Sequence, residues 1–376
     1  MATAGSLAIG AAGALVVLAA LVDLFLTVFN YDGFSFIANR LHRPAWGVLR
    51  RACRPVPAPL RPAALSIASA TMLPATVALW LGLEISGFAM MYLPGLEAGW
   101  FTLSDHLQAD AGNAFYLSAG AISSLTFGDV LARAGLYKAL VDVETIVGLA
   151  TFTLALGYVV TAFGVIGTVD SLHAKVRRHA DDPDQPSSIL ARHFRGGQPS
   201  ELPALLQALL DDLEAYDQGL RRYPVVYYVH TRRVARSIPH VFAALGDLLA
   251  LLRFGLPAEE PMSRDAWLAA LLDQYHTTLR RLQESFVGPE RLEPPAPLSE
   301  DDFRAAYREA GGAADGWVRD FRDLESRARA CAGLPETGDG EVPDDAYERY
   351  RGWLPFAHMR RVLIPRIAET LGYGER

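Results

Sequence analysis

Lysine is almost missing from this chain of 376 residues: Lys138 and Lys175 are the only two among 35 basic side chains. With arginine and alanine so common, that composition fits a high-GC bacterial genome. Cysteine is equally sparse. Cys53 and Cys331 are too far apart for any metal-binding spacing, so they read as idle thiols in a reducing compartment. Charged residues make up 20% of the chain against 51% apolar, which points away from an ordinary soluble protein and towards membrane segments. A basic excess is lacking too. The net charge of −7 argues against a nucleic-acid partner. No G-x-G-x-x-G follows a strand, and there is no Walker A loop, nucleophile elbow or H-E-x-x-H. No enzyme, cofactor or metal centre is therefore expected.

What charge there is lies unevenly. Up to Val169 there are 8 Lys+Arg and 9 Asp+Glu; from Asp170 onward there are 27 and 33. An apolar half precedes a charged one. Residues 7–29 form an apolar run interrupted only by Asp23, with no basic residue before Arg40, long enough to span a bilayer and unlike a cleaved signal peptide. Residues 63–92 carry only Glu84, with Pro74 as a possible kink. A third segment starts near Leu136 and is uncharged from Thr145 to Val169. Residues 31–62 hold six arginines against Asp32, whereas residues 93–128 hold no Lys or Arg but contain Glu97, Asp105 and Asp110. The positive-inside rule then puts residues 31–62 and the C-terminal half in the cytoplasm, with the N-terminus and the 93–135 connection outside. Within residues 34–53, Phe36, Ile37, Trp46 and Leu49 are expected to face lipid while arginines meet anionic headgroups.

The outer connection contains "AFYLSAGAISSLTFGD", Ala114 to Asp129: a helix too short to span, then Thr-Phe-Gly-Asp, between two full spans. This stretch resembles the pore helix and filter of the potassium-channel superfamily, whose TVGYG loop selects ions with rings of backbone carbonyls. Laid on that loop, Ser124 falls at the Thr, Leu125 at the Val, Thr126 at the first Gly, Phe127 at the Tyr and Gly128 at the second Gly. Asp129 falls at the following Asp, and Tyr116 at the pore-helix Trp that bonds it in that family. Gly148 matches the inner-helix hinge, and Gly157 is a second candidate hinge. "VDLFLTVFNYDG", Val22 to Gly33, is similar to the N-terminus of bacterial potassium-channel-like proteins. The resemblance covers residues 62–170. It implies a homotetramer with K⁺ or Na⁺ in the filter, in the bacterial inner (plasma) membrane.

Two departures qualify the resemblance. Thr126 replaces a glycine, and a β-branched residue at positive φ is a genuine outlier, costing on the order of 1–3 kcal/mol per chain. A changed backbone there implies weak cation selectivity or no conduction. Gly120 stands where many relatives carry an acid behind the filter, leaving Tyr116 to Asp129 as the remaining clamp. Asp23, Glu84, Asp142 and Glu144 are costly charges inside the spans. Glu144 either supports the filter by bonding the pore helix or holds two helices together. Asp23 is expected to meet Arg40, Arg43 or another span. Small residues along the third span allow close helix approach, and Val160, Phe163 and Val165 are candidates for an apolar constriction. No arginine repeat reads as a voltage sensor.

From Asp170 the pattern is helical. Leu202, Leu205, Leu206, Leu209, Leu210, Leu213 and Tyr216 trace a 3.6-residue stripe. Further helices are expected at 239–254 with Gly255 as C-cap, after Ser263, from Ser299 to Ala332, and at 344–372 with a break at Pro355. His173, His179, Asp181, Asp182 and Asp184 read as a solvated linker. The expected fold is an all-α membrane protein: three transmembrane helices with a re-entrant pore loop, plus an α-helical cytoplasmic C-terminal domain. Its segments are a first span at 1–30, a basic linker at 31–62, a pore domain at 63–169 and a helical domain at 170–376. The expected function is a weakly selective tetrameric cation channel. The alternative is a non-conducting sensor or scaffold whose cytoplasmic half recruits a ligand or partner that the sequence does not reveal.

Overall fold

The computed structural model describes residues 4–30, 36–125, 128–179, 187–194, 201–290, 292–309, 316–338 and 340–373. The fold is almost entirely helical and divides into two compact units. The first comprises residues 1–52, 67–164 and 220–226; the second comprises 53–66, 165–219 and 227–376.

The first unit is built on α1 (Ala4–Phe29), α2 (Ala38–Ala52), α4 (Met72–Glu97), α5 (Ala111–Ile122) and the first two-thirds of α6 (Gly135–His179). A short α3 (Arg61–Ala70) leads into α4, so Arg61–Glu97 is one apolar stretch broken at Thr71. Two local causes make the break. Pro74 has no N–H to return to the Ala70 carbonyl, and Thr71 Oγ1 donates back to the Ala68 carbonyl at 2.7 Å. The 45 residues of α6 make a rod about 67 Å long. α1 crosses α4 at Gly13 and Gly87. A Cβ on Gly87 would stand 2.7 Å from the Gly13 carbonyl oxygen, and one on Gly13 would strike the Gly87 carbonyl. Small residues at such a crossing let two apolar helices come close enough for dispersion to hold them. The sequence pointed to small-residue packing in α6 and missed this pair.

Two strands interrupt the expected all-α pattern. β1 (Phe101–Leu103) pairs antiparallel with β2 (Val130–Ala132), in the register Phe101↔Ala132, Thr102↔Leu131 and Leu103↔Val130. Ser104 N–H to the Asp129 carbonyl (3.0 Å) and Arg133 N–H to the Trp100 carbonyl (2.9 Å) extend the ladder. The ribbon closes the base of the loop that carries α5. Phe88, Tyr92, Leu96, Phe101, Ala114 and Tyr137 pack beneath it.

The second unit holds α7 (Ser187–His193), most of α8 (Leu202–Arg222), α9 (Ile238–Ala250), α10 (Ala266–Leu282), α11 (Glu300–Arg308), α12 (Gly316–Ala332) and α13 (Ala346–Leu371). The leucine stripe of α8 is buried, as its period requires. Three expectations need correction. The helix beginning at Ser299 ends at Arg308, and α12 is a separate element. α13 runs through Pro355 and Pro365 without a break. Gly255 has no left-handed cap geometry; it closes a π-helical turn, Leu251–Gly255, where a Cβ would stand 2.6 Å from Ala328 Cβ. Arg349 is the polar centre of this unit. It bonds Glu325 (2.6 Å), Asp345 (2.8 Å) and the Phe254 carbonyl (2.9 Å), while Tyr307 donates to Glu325.

Among the described residues four helical stretches are long and apolar enough to cross a membrane: Gly5–Phe29, Arg61–Glu97, Gly135–His179 and Ile238–Gly255. The most apolar windows of the first three are 33%, 39% and 28% buried. That of Ile238–Gly255 is 72% buried, and its apolar face is used by the core of the second unit.

Candidate functional site

The site is the loop between α4 and α6. Asp110 starts its helix, its carboxylate accepting Asn113 N–H at 2.8 Å, so this acid serves as an N-cap. α5 ends in a Schellman motif: Leu125 N–H reaches the Gly120 carbonyl (2.8 Å) and Ser124 N–H the Ala121 carbonyl (3.0 Å). Ser124 therefore sits in the left-handed region at φ 60°, a position that costs a non-glycine residue on the order of 1 kcal/mol. Gly128 is also left-handed, at φ 79°. Thr126 and Phe127 lie outside the described residues. Among the described filter residues, positive φ thus falls on Ser124 as well as on the glycine.

Asp129 is tied from behind. Tyr116 on α5 donates its hydroxyl to Asp129 Oδ2 at 3.0 Å. That bond joins the middle of the short helix to the far side of the loop. Behind the same helix, Glu144 of α6 is fully buried and meets two other helices. It accepts the Tyr92 hydroxyl from α4 at 2.6 Å and lies in hydrogen-bond contact with Ser118 of α5. Ser118 Oγ also lies 3.0 Å from the Ile85 carbonyl. A hydroxyl has one proton to give, so it serves one of these acceptors at a time. One buried carboxyl thus contacts α5 and joins it to α4 and α6.

Below this node, α4 and α6 run antiparallel along a polar seam. Descending α4 from Tyr92 to Glu84 to Trp80, the partners climb α6 from Glu144 to Thr151 to Tyr158. Thr151 Oγ1 donates to Glu84 Oε1 at 2.8 Å, and Trp80 meets Tyr158 edge-on at 5.5 Å. Glu84 Oε2 is buried without a hydrogen-bond partner among the described residues. Asp142, also singled out from the sequence, is exposed.

Among the described residues Asp23 meets no arginine, but it does meet another span. Its carboxylate accepts N–H bonds from Phe36 (2.7 Å), Ile37 (2.7 Å) and Ala38 (3.2 Å), and the Trp80 indole donates to it at 2.9 Å. An acid fifteen residues before Ala38 thus caps the start of α2. This is physically reasonable, because a helix start presents free N–H groups and partial positive charge. On α2, His42 packs inward with Nε2 2.9 Å from Thr76 Oγ1, and burial pushes its imidazole down to about 4 against the pull of Asp23. Trp46 is buried as well, so the exposed apolar residues of α2 are Leu41 and Val48 rather than Trp46.

The two candidate hinges differ. A Cβ on Gly148 would collide with the Ile122 carbonyl at the end of α5, whereas one on Gly157 would meet nothing within 4 Å. Both lie within the unbroken α6. Of the proposed constriction residues, Val160 and Phe163 are exposed. Val165 is buried and packs where Gly219 of α8 lacks a side chain. Among the described residues no group of three His, Cys, Asp or Glu side chains can hold a metal ion. His179 Nδ1 lies 3.1 Å from His193 Nε2, while Asp181, Asp182 and Asp184 lie outside the described residues.

The sequence missed Tyr92, Ser118, Thr151, Trp80 and Thr76. Each is an ordinary span residue until a partner on another helix is known. Only Tyr92 left a trace, eight residues from Glu84 on one face of α4.

No protein-family model matches the chain, and no solved structure matches it. It is similar to an uncharacterized membrane protein, YdjJ, of Bacillus subtilis (strain 168). The two are 22% identical over 287 residues, which cover 76% of this chain and 81% of that protein. This is a helical membrane protein. Its apolar helices imply contact with lipid.

Proposed function

We propose that the chain is one subunit of a homotetrameric cation channel of potassium-channel-like architecture, weakly selective between K⁺ and Na⁺. Three helices span the inner membrane with α5 as a re-entrant pore helix, the N-terminus outside and the second unit in the cytoplasm. The observation that carries this reading is the Tyr116–Asp129 bond behind the loop. It is the contact that the resemblance implies between the pore helix and the acid after the filter.

Two surfaces support assembly. Val143, Ile146, Leu149, Phe152, Leu156 and Val160 form one exposed apolar stripe along α6. A hollow of about 490 Å³ lies beside the loop, lined by Tyr116, Leu117, Leu125, Asp129 and Val141. Neighbouring subunits would cover both. The burial of Ile238–Gly255 supports three spans rather than four. The acids Glu97, Asp105 and Asp129 around the outer mouth favour cation over anion accumulation.

Bi-ionic reversal potentials of the purified protein in planar bilayers test the reading. The expected result is cation current with a low K⁺/Na⁺ permeability ratio that rises in Thr126→Gly. Strict K⁺ selectivity in the unaltered protein would remove the weak-selectivity part. Absence of flux in both proteins would favour a non-conducting sensor or scaffold.

A further inference from the structure

Between Asp32 and Glu84 the chain has no acidic residue but has six arginines. Three of these, Arg40, Arg43 and Arg51, stand exposed on α2, and none pairs with a carboxylate among the described residues. At 3.6 residues per turn they fall within an arc of about 80°, with exposed Leu41 and Val48 on the next sector. The opposite side, Ala38, His42 and Trp46, is buried in the first unit. The helix therefore has three sectors: one in protein, one cationic and one apolar. Its start is fixed to α1 and α4 through Asp23, which accepts the N–H groups of Phe36 and Ile37 just before the helix, that of Ala38 at its first position, and the Trp80 indole.

We propose that this face of α2 is a binding surface for anionic phospholipid of the cytoplasmic leaflet. Arg40, Arg43 and Arg51 hold the phosphodiester headgroups while Leu41 and Val48 enter the acyl layer. Charge selects an anion, and guanidinium suits phosphate in particular. The adjoining apolar sector selects a lipid over a free phosphate, because a soluble anion leaves Leu41 and Val48 in water. The surface rests on the cytoplasmic placement of α2 given above and does not depend on conduction.

Full-length protein in a neutral detergent is titrated with phosphatidylglycerol or phosphatidylcholine, and bound lipid is counted by native mass spectrometry. The unaltered protein should bind phosphatidylglycerol in preference. A variant combining Arg40→Gln, Arg43→Gln and Arg51→Gln should bind it on the order of a hundredfold more weakly, at about 1 kcal/mol per basic residue. Lys175→Gln with Arg177→Gln and Arg178→Gln, which removes as much charge elsewhere, should leave affinity unchanged. Leu41→Ser with Val48→Ser should also weaken binding. Equal affinity in the α2 arginine variant would overturn the proposal, as would competition by inorganic phosphate at matched concentration. The readout is independent of ion flux, so a failed channel reading leaves it standing.

Discussion

Tyr92 on α4 and Glu144 on α6 share a hydrogen bond of 2.6 Å, and the same carboxyl group touches Ser118 on α5. Three helices thus meet at one buried side chain. Glu144→Ala removes the common acceptor; Ser118 can turn to the Ile85 carbonyl, but the buried Tyr92 hydroxyl loses its partner, at about 1–3 kcal/mol. Glu144→Gln keeps an acceptor and should retain more than half of the lost stability. Thermal unfolding in detergent compares the two. Equal destabilisation would mean that the node depends on the carboxylic group itself.

Tyr116→Phe tests the tie behind the loop with little change of shape. Losing one hydrogen bond to a carboxylate costs less at a partly exposed position such as Tyr116 than in a core, because water can replace the lost partner. Under the proposed channel function, the expected effect is a loop less firmly held: altered permeability ratio or faster loss of current, with unfolding temperature nearly unchanged. A variant indistinguishable in current from the unaltered protein would show that the tie is incidental.

Gly148 and Gly157 of α6 should respond oppositely to the same substitution. Gly148→Ala forces a methyl group into the Ile122 carbonyl and must push α6 away from α5. Overpacking of this kind costs about 1–3 kcal/mol. Gly157→Ala meets open space and gains up to about 1 kcal/mol of helix propensity. Unfolding temperatures of both variants check the contrast. If Gly157 bends during gating, its variant should also show lower open probability.

Stability should depend on pH through His230. Burial holds this imidazole down to about 4, against an ordinary value of 6.5. The folded chain keeps it neutral, while the unfolded chain takes up a proton below about 6.5. Its contribution is therefore complete above that pH and is lost as pH falls towards 4, on the order of 3 kcal/mol in all. His230→Phe, which preserves a ring to stack on Tyr373, should flatten that part of the profile. Urea unfolding across pH 4–7.5 makes the measurement. An unchanged slope in the variant would assign the loss to other groups.

The long apolar helices were legible because a bilayer-length apolar run leaves few alternatives, and loop charge supplied an expected orientation from different residues. The α8 stripe was legible for a similar reason, since seven buried positions repeat one period. β1 and β2 were not, because three residues are too few to display alternation. Asp23 was visible as an oddity, and one of its expected partners, another span, is met through the Trp80 indole, whereas Arg40 and Arg43 are not. A buried acid seeks positive charge, and a sequence shows arginines plainly while hiding the bare N–H groups of a helix start. Trp46 went wrong in the opposite sense, since a tryptophan beside arginines suits a membrane interface as well as a protein core. Ser124 was unremarkable until the end of α5 proved to be a Schellman turn, which places the left-handed residue by helix length rather than by residue type.

The ribbon of β1 and β2 has a practical consequence. It pins Leu103 opposite Val130, so the intervening loop is a cassette hung from a fixed frame. Asp105 and His106 form an exposed turn on the cassette, before Asp110 begins the helix. A short epitope placed between them would leave the strand register untouched. It would give an address tag readable from one face of the intact cell only, and so report which way the chain is threaded.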